Sequence, residues 1–575
     1  MFEFSLAGNP DTIPESNKNK KMNIDEKFEL AVEKYNEGNL SQVETLLTEI
    51  VQVQPNNTDA LYLLAEISYR VGNYDSAIHY LRNALQYDPS NAEAYSNLGF
   101  ILQGRGQPDE AVQCYQKALQ LNPHLPEAHS NLGNIFKDKA QFDEAIRCYQ
   151  RALQLNPDVP EVYSNLGIAL QKAGRTDEAV AYCRKAVELS PRNATTHYNL
   201  GIAFQENRQL DEAIPCYQKA SELAPDDAGI YNNLAFALQE NRRPYEALPY
   251  YRKAIQLDPN YATAHWNLSL ALLLTGNFRE GWREYEWRWE IEYLASSRRN
   301  FEQPLWDGSD INGRTILLHA EQGFGDTIQF VRYASLVAGR GVKIIFECPG
   351  ELAVLLRSVE GIEQVVVRGE KLPEFDVHCP LLSLPLALDT TLETIPAKVP
   401  YIKSDASLTE KWKDKIKYDN SGIKIGIVWA GNPGFKQNCY RNIPLEIIAL
   451  LSLVPGVTLY SLQMGKEAQE AKNPPDGLKL IDLTEDIHDF SDTASLIENL
   501  DLIVSVDTAV AHLAGALGKP VWTLLAFSPE WRWLLNREDS PWYPTMRLFR
   551  QSSPRDWRTV IDRVICEIRD TFNCT

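Results

Sequence analysis

At 575 residues the chain is long for one domain, and at about 150 residues per domain it holds three or four, each able to bury a core. Its 44% hydrophobic and 23% charged residues are ordinary values for folded protein and exclude wholesale disorder. With 57 basic against 77 acidic residues the net charge is −20, which argues against the basic footprint of a nucleic-acid binder.

In chain order, residues 1–23 read as a disordered tail: Glu3 comes early, no secretory apolar block is present, and the lysines follow the apolar residues. The longest apolar run, Leu268 to Leu274, falls far short of the roughly 20 residues of a membrane helix, so no transmembrane segment is expected. Four of the nine cysteines (Cys114, Cys148, Cys183, Cys216) recur at nearly one position of a repeat. They read as small packed residues of a reduced, cytoplasmic protein.

Residues 24–295 are periodic. Pro55, Pro89, Pro123, Pro157, Pro191, Pro225 and Pro259 stand 34 residues apart, with a small residue in register at Ala77, Ala111, Ala145, Ala179, Ala213, Ala247 and Gly281. Within each unit apolar residues fall at helical spacing on both sides of a polar break, giving two antiparallel helices. Gly99, Gly133, Gly167 and Gly201 let the paired helices approach. These units resemble tetratricopeptide repeats, about eight in all, whose first helices line an inner surface that is the usual binding face.

One residue before the leucine of successive first helices stand Asn97, Asn131, Asn165, Asn199, Asn233 and Asn267, again 34 apart. Asparagine is a mediocre helix former, so the register has a cause. Either the amides bridge neighbouring repeats, or they pair with the backbone N–H and C=O groups of an extended polypeptide. The row is similar to the asparagine ladder of the O-GlcNAc transferases, which implies a polypeptide partner. Next to it, Trp282, Tyr285, Trp287 and Trp289 close the last repeat and read as an apolar joint to the following domain, with sugar stacking as the other possibility.

From Arg314 strands and helices alternate. TILLH, VKIIFEC, Val365–Val367 and Phe375–Cys379 form a first lobe, and IKIGIVWAG, VTLYSL, LKLID, DLIVSVD and PVWTLLAF a second. Two parallel sheets in tandem place a cleft at the carboxyl ends of their strands. The expected partition is a tail over 1–23, repeats over 24–295, a linker over 296–312, lobes over 313–405 and 421–545, and a C-terminal helix over 546–575. The aromatic stretch containing Trp531, Arg532, Trp533, Trp542, Tyr543 and Arg547 is expected to pack back across the lobes, and the last helix to complete that crossing.

Three strand-end loops carry chemistry. Gly323, Phe324, Gly325 and Asp326 open a helix, where Asp326 is either a cap or a functional carboxylate. Asn432, Lys436 and Arg441 follow a strand and offer two cations to a diphosphate. Asp507, Thr508 and Ala509 open a second helix, with His512 a turn later. Together these loops resemble the ADP-heptose heptosyltransferases. Asp507, Thr508 and His512 match that family's Asp-Thr-Gly-x-x-His signature, with Ala509 in the glycine position, and Gly325 and Asp326 match its Gly-Asp motif.

The resemblance implies a GT-B fold of two Rossmann-like lobes. It also implies a nucleotide-sugar donor whose diphosphate meets Lys436 or Arg441, and Asp326 as the base. The chain has no Asp-x-Asp motif and its nine histidines lack ligand spacing, so neither a metal nor another cofactor is expected. Repeats followed by GT-B lobes also resemble the domain order of the O-GlcNAc transferases. The expected function is sugar transfer from a nucleotide sugar to a Ser or Thr hydroxyl of a polypeptide held by the repeats. The alternatives are transfer to a glycan or lipid-linked saccharide, and a non-catalytic scaffold.

Overall fold

A computed structural model describes residues 22–296, 298–416, 422–432, 438–528 and 530–573. The chain divides into two compact units between Pro225 and Asp226.

The first unit is a stack of six helix pairs, running from Ile24–Asn36 with Leu40–Val53 to Ala194–Glu206 with Leu210–Leu223. Asn23, Asn57 and Asn91 open three first helices by accepting a backbone N–H with the side chain, the arrangement that satisfies an otherwise orphaned donor. Ala77, Ala111, Ala145, Ala179 and Ala213 are fully buried between paired helices. Gly99, Gly133 and Gly201 of the first helices make room for a tyrosine of the second, and Gly167 for Cys183. A Cβ on Gly133 would lie 2.8 Å from the Tyr149 ring, and one on Gly201 2.7 Å from Tyr217.

The second unit begins with two more pairs, Ala228–Glu240 with Pro244–Leu257 and Ala262–Leu274 with Phe278–Tyr285. Two parallel sheets follow. The first contains β1 (Thr315–His319), β2 (Lys343–Cys348), β3 (Ile362–Val367) and β4 (Val377–Pro380), in the order β3-β2-β1-β4. The second contains β5 (Ile423–Val428), β6 (Val457–Ser461), β7 (Leu480–Asp482), β8 (Leu502–Val506), β9 (Val521–Leu525) and β10 (Met546–Arg550), in the order β10-β9-β8-β5-β6-β7. Ile425 of β5 pairs with Leu459 on one side and Leu502 on the other. In each sheet the strand order reverses once, between β1 and β4 and between β5 and β8. Crevices form beyond the carboxyl ends of such strand pairs.

Two expectations are corrected. The strand β10, which pairs with β9 from Met546 to Arg550, extends the second sheet past residue 545. The final helix Trp557–Phe572 does not cross to the first lobe. Its buried face (Trp557, Val560, Ile561, Val564, Ile568) packs with Ile425, Ile427, Val504 and Phe549, because an apolar stripe goes to the nearest uncovered sheet face. The stretch 531–543, by contrast, does reach across.

The aromatic end of the last repeat is built into the lobes. Trp282 is 1% exposed and stands edge-on to Trp531 at 5.4 Å and to Phe330 at 6.1 Å. Phe278 stacks on Trp542 at 6.2 Å, and all of these share one core with β1 and β2. Trp287 lies flat on His265 at 3.8 Å, within the repeat itself.

Candidate functional site

The candidate site lies where the two lobes meet, the loop after β1 against the loops after β8 and β9. Glu321, 5% exposed, lies at the start of the first of these loops. Its Oε2 accepts from Arg288 Nε at 2.8 Å and its Oε1 from the backbone N–H of Leu382 at 3.0 Å. Arg288 comes from the turn after the last repeat helix, is fully buried, and also donates to Ser383 Oγ at 2.7 Å and Glu286 Oε1 at 2.7 Å. Burial pushes the Glu321 carboxyl up, and the Arg288 guanidinium opposes that shift. The repeat end thus braces the loop that carries Asp326.

Gly323 then opens the helix Phe324–Phe330, and its N–H donates to Asp326 Oδ2 at 3.0 Å. The other oxygen, Oδ1, accepts from Arg532 Nη2 of the second lobe. Gly325 runs against the helix Ala509–Ala516: a Cβ there would meet His512 Cδ2 at 3.0 Å and Ala509 Cα at 3.6 Å. Glycine is therefore what brings the Asp326 helix and the Asp507 loop together.

In that loop β8 ends at Val506, Asp507 and Thr508 follow, and Ala509 begins the helix. The Asp507 backbone carbonyl accepts from Arg441 Nη1 at 3.2 Å, and its carboxylate lies 3.9 Å from both Arg441 Nη1 and His512 Nε2. Thr508 Oγ1 lies 3.0 Å from Ser505 Oγ. His512 is 4% exposed; Nδ1 meets the Tyr543 hydroxyl at 2.9 Å and the ring stacks on Trp533 at 5.3 Å. Burial lowers its pKa to about 3, outweighing Asp507, so the ring is neutral. This histidine is packed between the lobes rather than presented to solvent.

After β5, the backbone N–H groups of Trp429 and Ala430 donate to Gln463 Oε1 at 3.1 and 2.9 Å, and that of Gly431 to Asn442 Oδ1 at 3.1 Å. Asn432 is exposed at the end of this turn, and Lys436 lies outside the described residues. Arg441 is partly buried with its guanidinium at the Asp507 loop. Asp326, Gly325, Arg441, Asp507, Thr508, Ala509 and His512 therefore lie together where the lobes meet.

Sequence reasoning missed Glu530 and the two arginine pairings. Arg532 Nη1 donates to Glu530 Oε1 at 2.5 Å, Nε donates to Gln329 Oε1 at 2.8 Å, and the guanidinium covers the Trp531 ring at 4.3 Å. Burial pushes the Glu530 carboxyl up to about 7 against the pull of Arg532, with Asp507 adding to the rise. The one available signal was the charged Glu530-x-Arg532 pair inside an otherwise aromatic segment. Among the described residues, no group of three His, Cys, Asp or Glu could hold a metal ion.

In the repeats, the asparagine row bridges neighbouring pairs at two positions. Asn165 Nδ2 donates to Asn134 Oδ1 of the preceding pair at 3.1 Å, and Lys137 Nζ lies 3.4 Å from Asn165 Oδ1. In the second unit Asn267 Nδ2 donates to Asn232 Oδ1 at 3.0 Å, and Asn232 Nδ2 to Asn233 Oδ1 at 3.2 Å. Asn199 is 9% exposed, while Asn97 and Asn131 are half-buried.

Residues 465–562 match glycosyltransferase family 9 (heptosyltransferase), a span that encloses Asp507, Thr508, His512, Glu530 and Arg532. Residues 25–267 match the C-terminal domain of cilia and flagella-associated protein 70, a tetratricopeptide-type region. The chain thus joins a tetratricopeptide-like N-terminal region to a C-terminal glycosyltransferase family 9 domain of parallel α/β build.

Among individual proteins, it is 26% identical over 324 residues to protein FlbA of Caulobacter vibrioides, and the match covers 52% of this chain and 54% of that one. The chain therefore spans about half the length of that curated relative. Similar solved structures include YrrB, a TPR protein with an unusual peptide-binding site (24% identity, 32% of this chain and 95% of that one, TM-score 0.30). Another is MamA from Desulfovibrio magneticus RS-1 (23% identity, 30% of this chain and 97% of that one, TM-score 0.29). No helix among the described residues is long and apolar enough to cross a membrane.

Proposed function

We propose that the protein transfers a sugar from a nucleotide-sugar donor to a Ser or Thr hydroxyl of a polypeptide engaged by the repeats. The observation that carries this reading is that the family 9 match encloses the Asp507–Thr508 strand end, and that this strand end packs against the Gly325–Asp326 loop of the other lobe.

In the proposed reaction the acceptor hydroxyl attacks the anomeric carbon and its proton passes to Asp326. The bond from that carbon to the donor oxygen breaks, and its electron pair leaves with the nucleoside diphosphate. Positioned proton transfer of this kind contributes about 10²–10⁴-fold. Arg441, Lys436 and the N-terminal N–H groups of Ala509–Ala516, helped by Asn432, would take up the developing charge without a metal. Asp507 then acts through Arg441, whose guanidinium its backbone carbonyl holds.

The polypeptide half of the reading is supported by the repeats and by the row Asn97, Asn131, Asn165, Asn199, Asn233 and Asn267. An amide has two N–H donors and two acceptor lone pairs, so one that bridges repeats can also pair with an extended chain.

The test is to incubate the full chain with UDP-, GDP-, ADP- and dTDP-linked sugars and Ser/Thr-containing polypeptides, and to follow product by intact mass. A hexosyl-type mass increment on polypeptide with wild type, absent with Asp326→Asn, is the expected result. Transfer to glycan or lipid-linked acceptors alone would replace the polypeptide reading, and no consumption of any donor would remove the enzymatic one.

A further inference from the structure

Asp326 belongs to the first lobe, yet the group that fixes its second oxygen comes from the other lobe. Arg532 lies on the turn Trp531–Trp533, beyond β9, in the sheet that carries the Asp507 loop. Three of its N–H groups are spent on three different partners: Nη2 on Asp326 Oδ1, Nη1 on Glu530 Oε1 and Nε on Gln329 Oε1. Glu530 is in turn held by the backbone N–H of Arg532, which donates to its Oε2 at 2.8 Å. The platform beneath is rigid: Trp531, under the guanidinium, is wedged among Trp282, Phe330 and Trp542.

We infer that Arg532 is a positioning residue for sugar transfer, aligning the Asp326 carboxylate across the interlobe cleft while Glu530 keeps the guanidinium in register. This rests on the reading of Asp326 as the base.

Two features of the geometry support it. First, Asp326 is gripped on both oxygens, by Gly323 N–H from its own loop and by Arg532 from the opposite lobe, so the carboxylate plane is fixed only when the lobes meet. Each oxygen retains a further lone pair for the acceptor hydroxyl. Second, a single guanidinium serves two carboxylates. When Asp326 takes the acceptor proton it loses its charge, and a buried arginine with no other anion would then be left uncompensated at high cost. Glu530, in its ionised form, keeps Arg532 paired through that step. An arginine suits this because its planar fork fixes the directions of both hydrogen bonds, which a lysine ammonium on a flexible stem does not.

The test compares Arg532→Lys, Glu530→Gln and Asp326→Asn in the full chain. Release of nucleoside diphosphate from the UDP-, GDP-, ADP- and dTDP-linked sugar panel is measured together with thermal melting. Arg532→Lys is expected to lower kcat by about 10- to 100-fold, the scale of a misplaced reacting group, with donor KM within about twofold of wild type and a cooperative melt retained. Glu530→Gln is expected to lower kcat less, again at unchanged KM.

A kcat for Arg532→Lys within threefold of wild type, beside an inactive Asp326→Asn, overturns the positioning role and leaves the base intact. A parallel rise in KM and fall in kcat overturns it in favour of donor binding. Should Arg532→Lys fail to melt cooperatively, Glu530→Gln decides, and wild-type kcat there overturns the role. Full turnover by Asp326→Asn, or none by wild type on any donor, defeats the underlying reading and the inference with it.

Discussion

Gly325 passes so close to the imidazole of His512 that a Cβ on it would stand 3.0 Å from Cδ2. This contact is one of those that join the two lobes where their strand-end loops meet, and it explains why glycine precedes Asp326. Gly325→Ala is expected to cost about 1–3 kcal/mol through overpacking. It should lower kcat more than stability accounts for, because any relief moves Asp326 away from Arg532. Thermal melts and donor hydrolysis on the same preparation check this, and an unchanged kcat would show that the approach is not needed for turnover.

Acidification should destabilise the protein through its buried histidines. Burial lowers both His319 and His512 from 6.5 to about 3. Between those values the unfolded chain binds protons that the folded state does not, so stability rises with pH through this window and is lost as pH falls below about 6.5. Glu530 works in the opposite sense. Raised from 4.5 to about 7, it binds a proton in the fold that the unfolded chain has released, so its contribution falls as pH rises through that range. The melting temperature should therefore drop less between pH 7 and pH 5 in His512→Gln than in wild type, and more in Glu530→Gln. Identical slopes in all three proteins would contradict the burial assigned to these groups.

The repeat end is structural to the catalytic region. Trp282→Ala removes a ring enclosed by Phe278, Tyr285, Phe330 and Trp531. Large-to-small changes of this kind cost about 3–5 kcal/mol, or roughly 5–15 °C in melting temperature. A fragment beginning at residue 313 would lack Phe278, Trp282 and Arg288, exposing the aromatic core and leaving Glu321 buried without its guanidinium. Such a fragment is expected to aggregate, whereas one beginning at residue 226 should melt cooperatively. Light scattering and calorimetry of the two fragments separate these outcomes.

Asn165 and Asn134 offer a test of the groove. If the Asn165 amide only bridges repeats, Asn165→Ala costs about 1 kcal/mol of stability and leaves polypeptide transfer unchanged. If it also holds polypeptide backbone, Asn165→Ala with Asn199→Ala raises the KM for a polypeptide acceptor several-fold while hydrolysis of donor stays at the wild-type rate. The second result is expected; equal loss of both activities would contradict a binding role.

The repeats were legible because a 34-residue spacing of proline, glycine and alanine survives without any tertiary information. The buried strands β1, β2, β5, β8 and β9 were legible too, since strands covered on both faces read as unbroken apolar runs. What escaped was polar sequence made internal by a distant partner. Met546–Arg550 belongs to the stretch expected to pack back across the lobes, yet it pairs with β9 as a strand, where Arg550 Nη2 donates to the Trp533 carbonyl at 2.6 Å and Arg547 pairs with Glu567. Arg288 looks like one more exposed charge in GWREYEWRWE, and only Glu321, brought to it by folding, makes it a buried residue. The motif residues that the fold brings together stood out in the sequence, whereas the pairings of Arg532 and Glu530 did not. Aromatic-rich sequence announces packing, while the ion pairs embedded in it depend on which lobe lies opposite.

The most direct measurement is calorimetric titration of ADP, GDP and UDP into the full chain and into Arg441→Ala. Saturable binding of one nucleoside diphosphate to wild type, weakened at least tenfold in the variant, is the predicted result. Failure of all three to bind wild type would contradict a nucleotide-sugar site at the Asp507 loop.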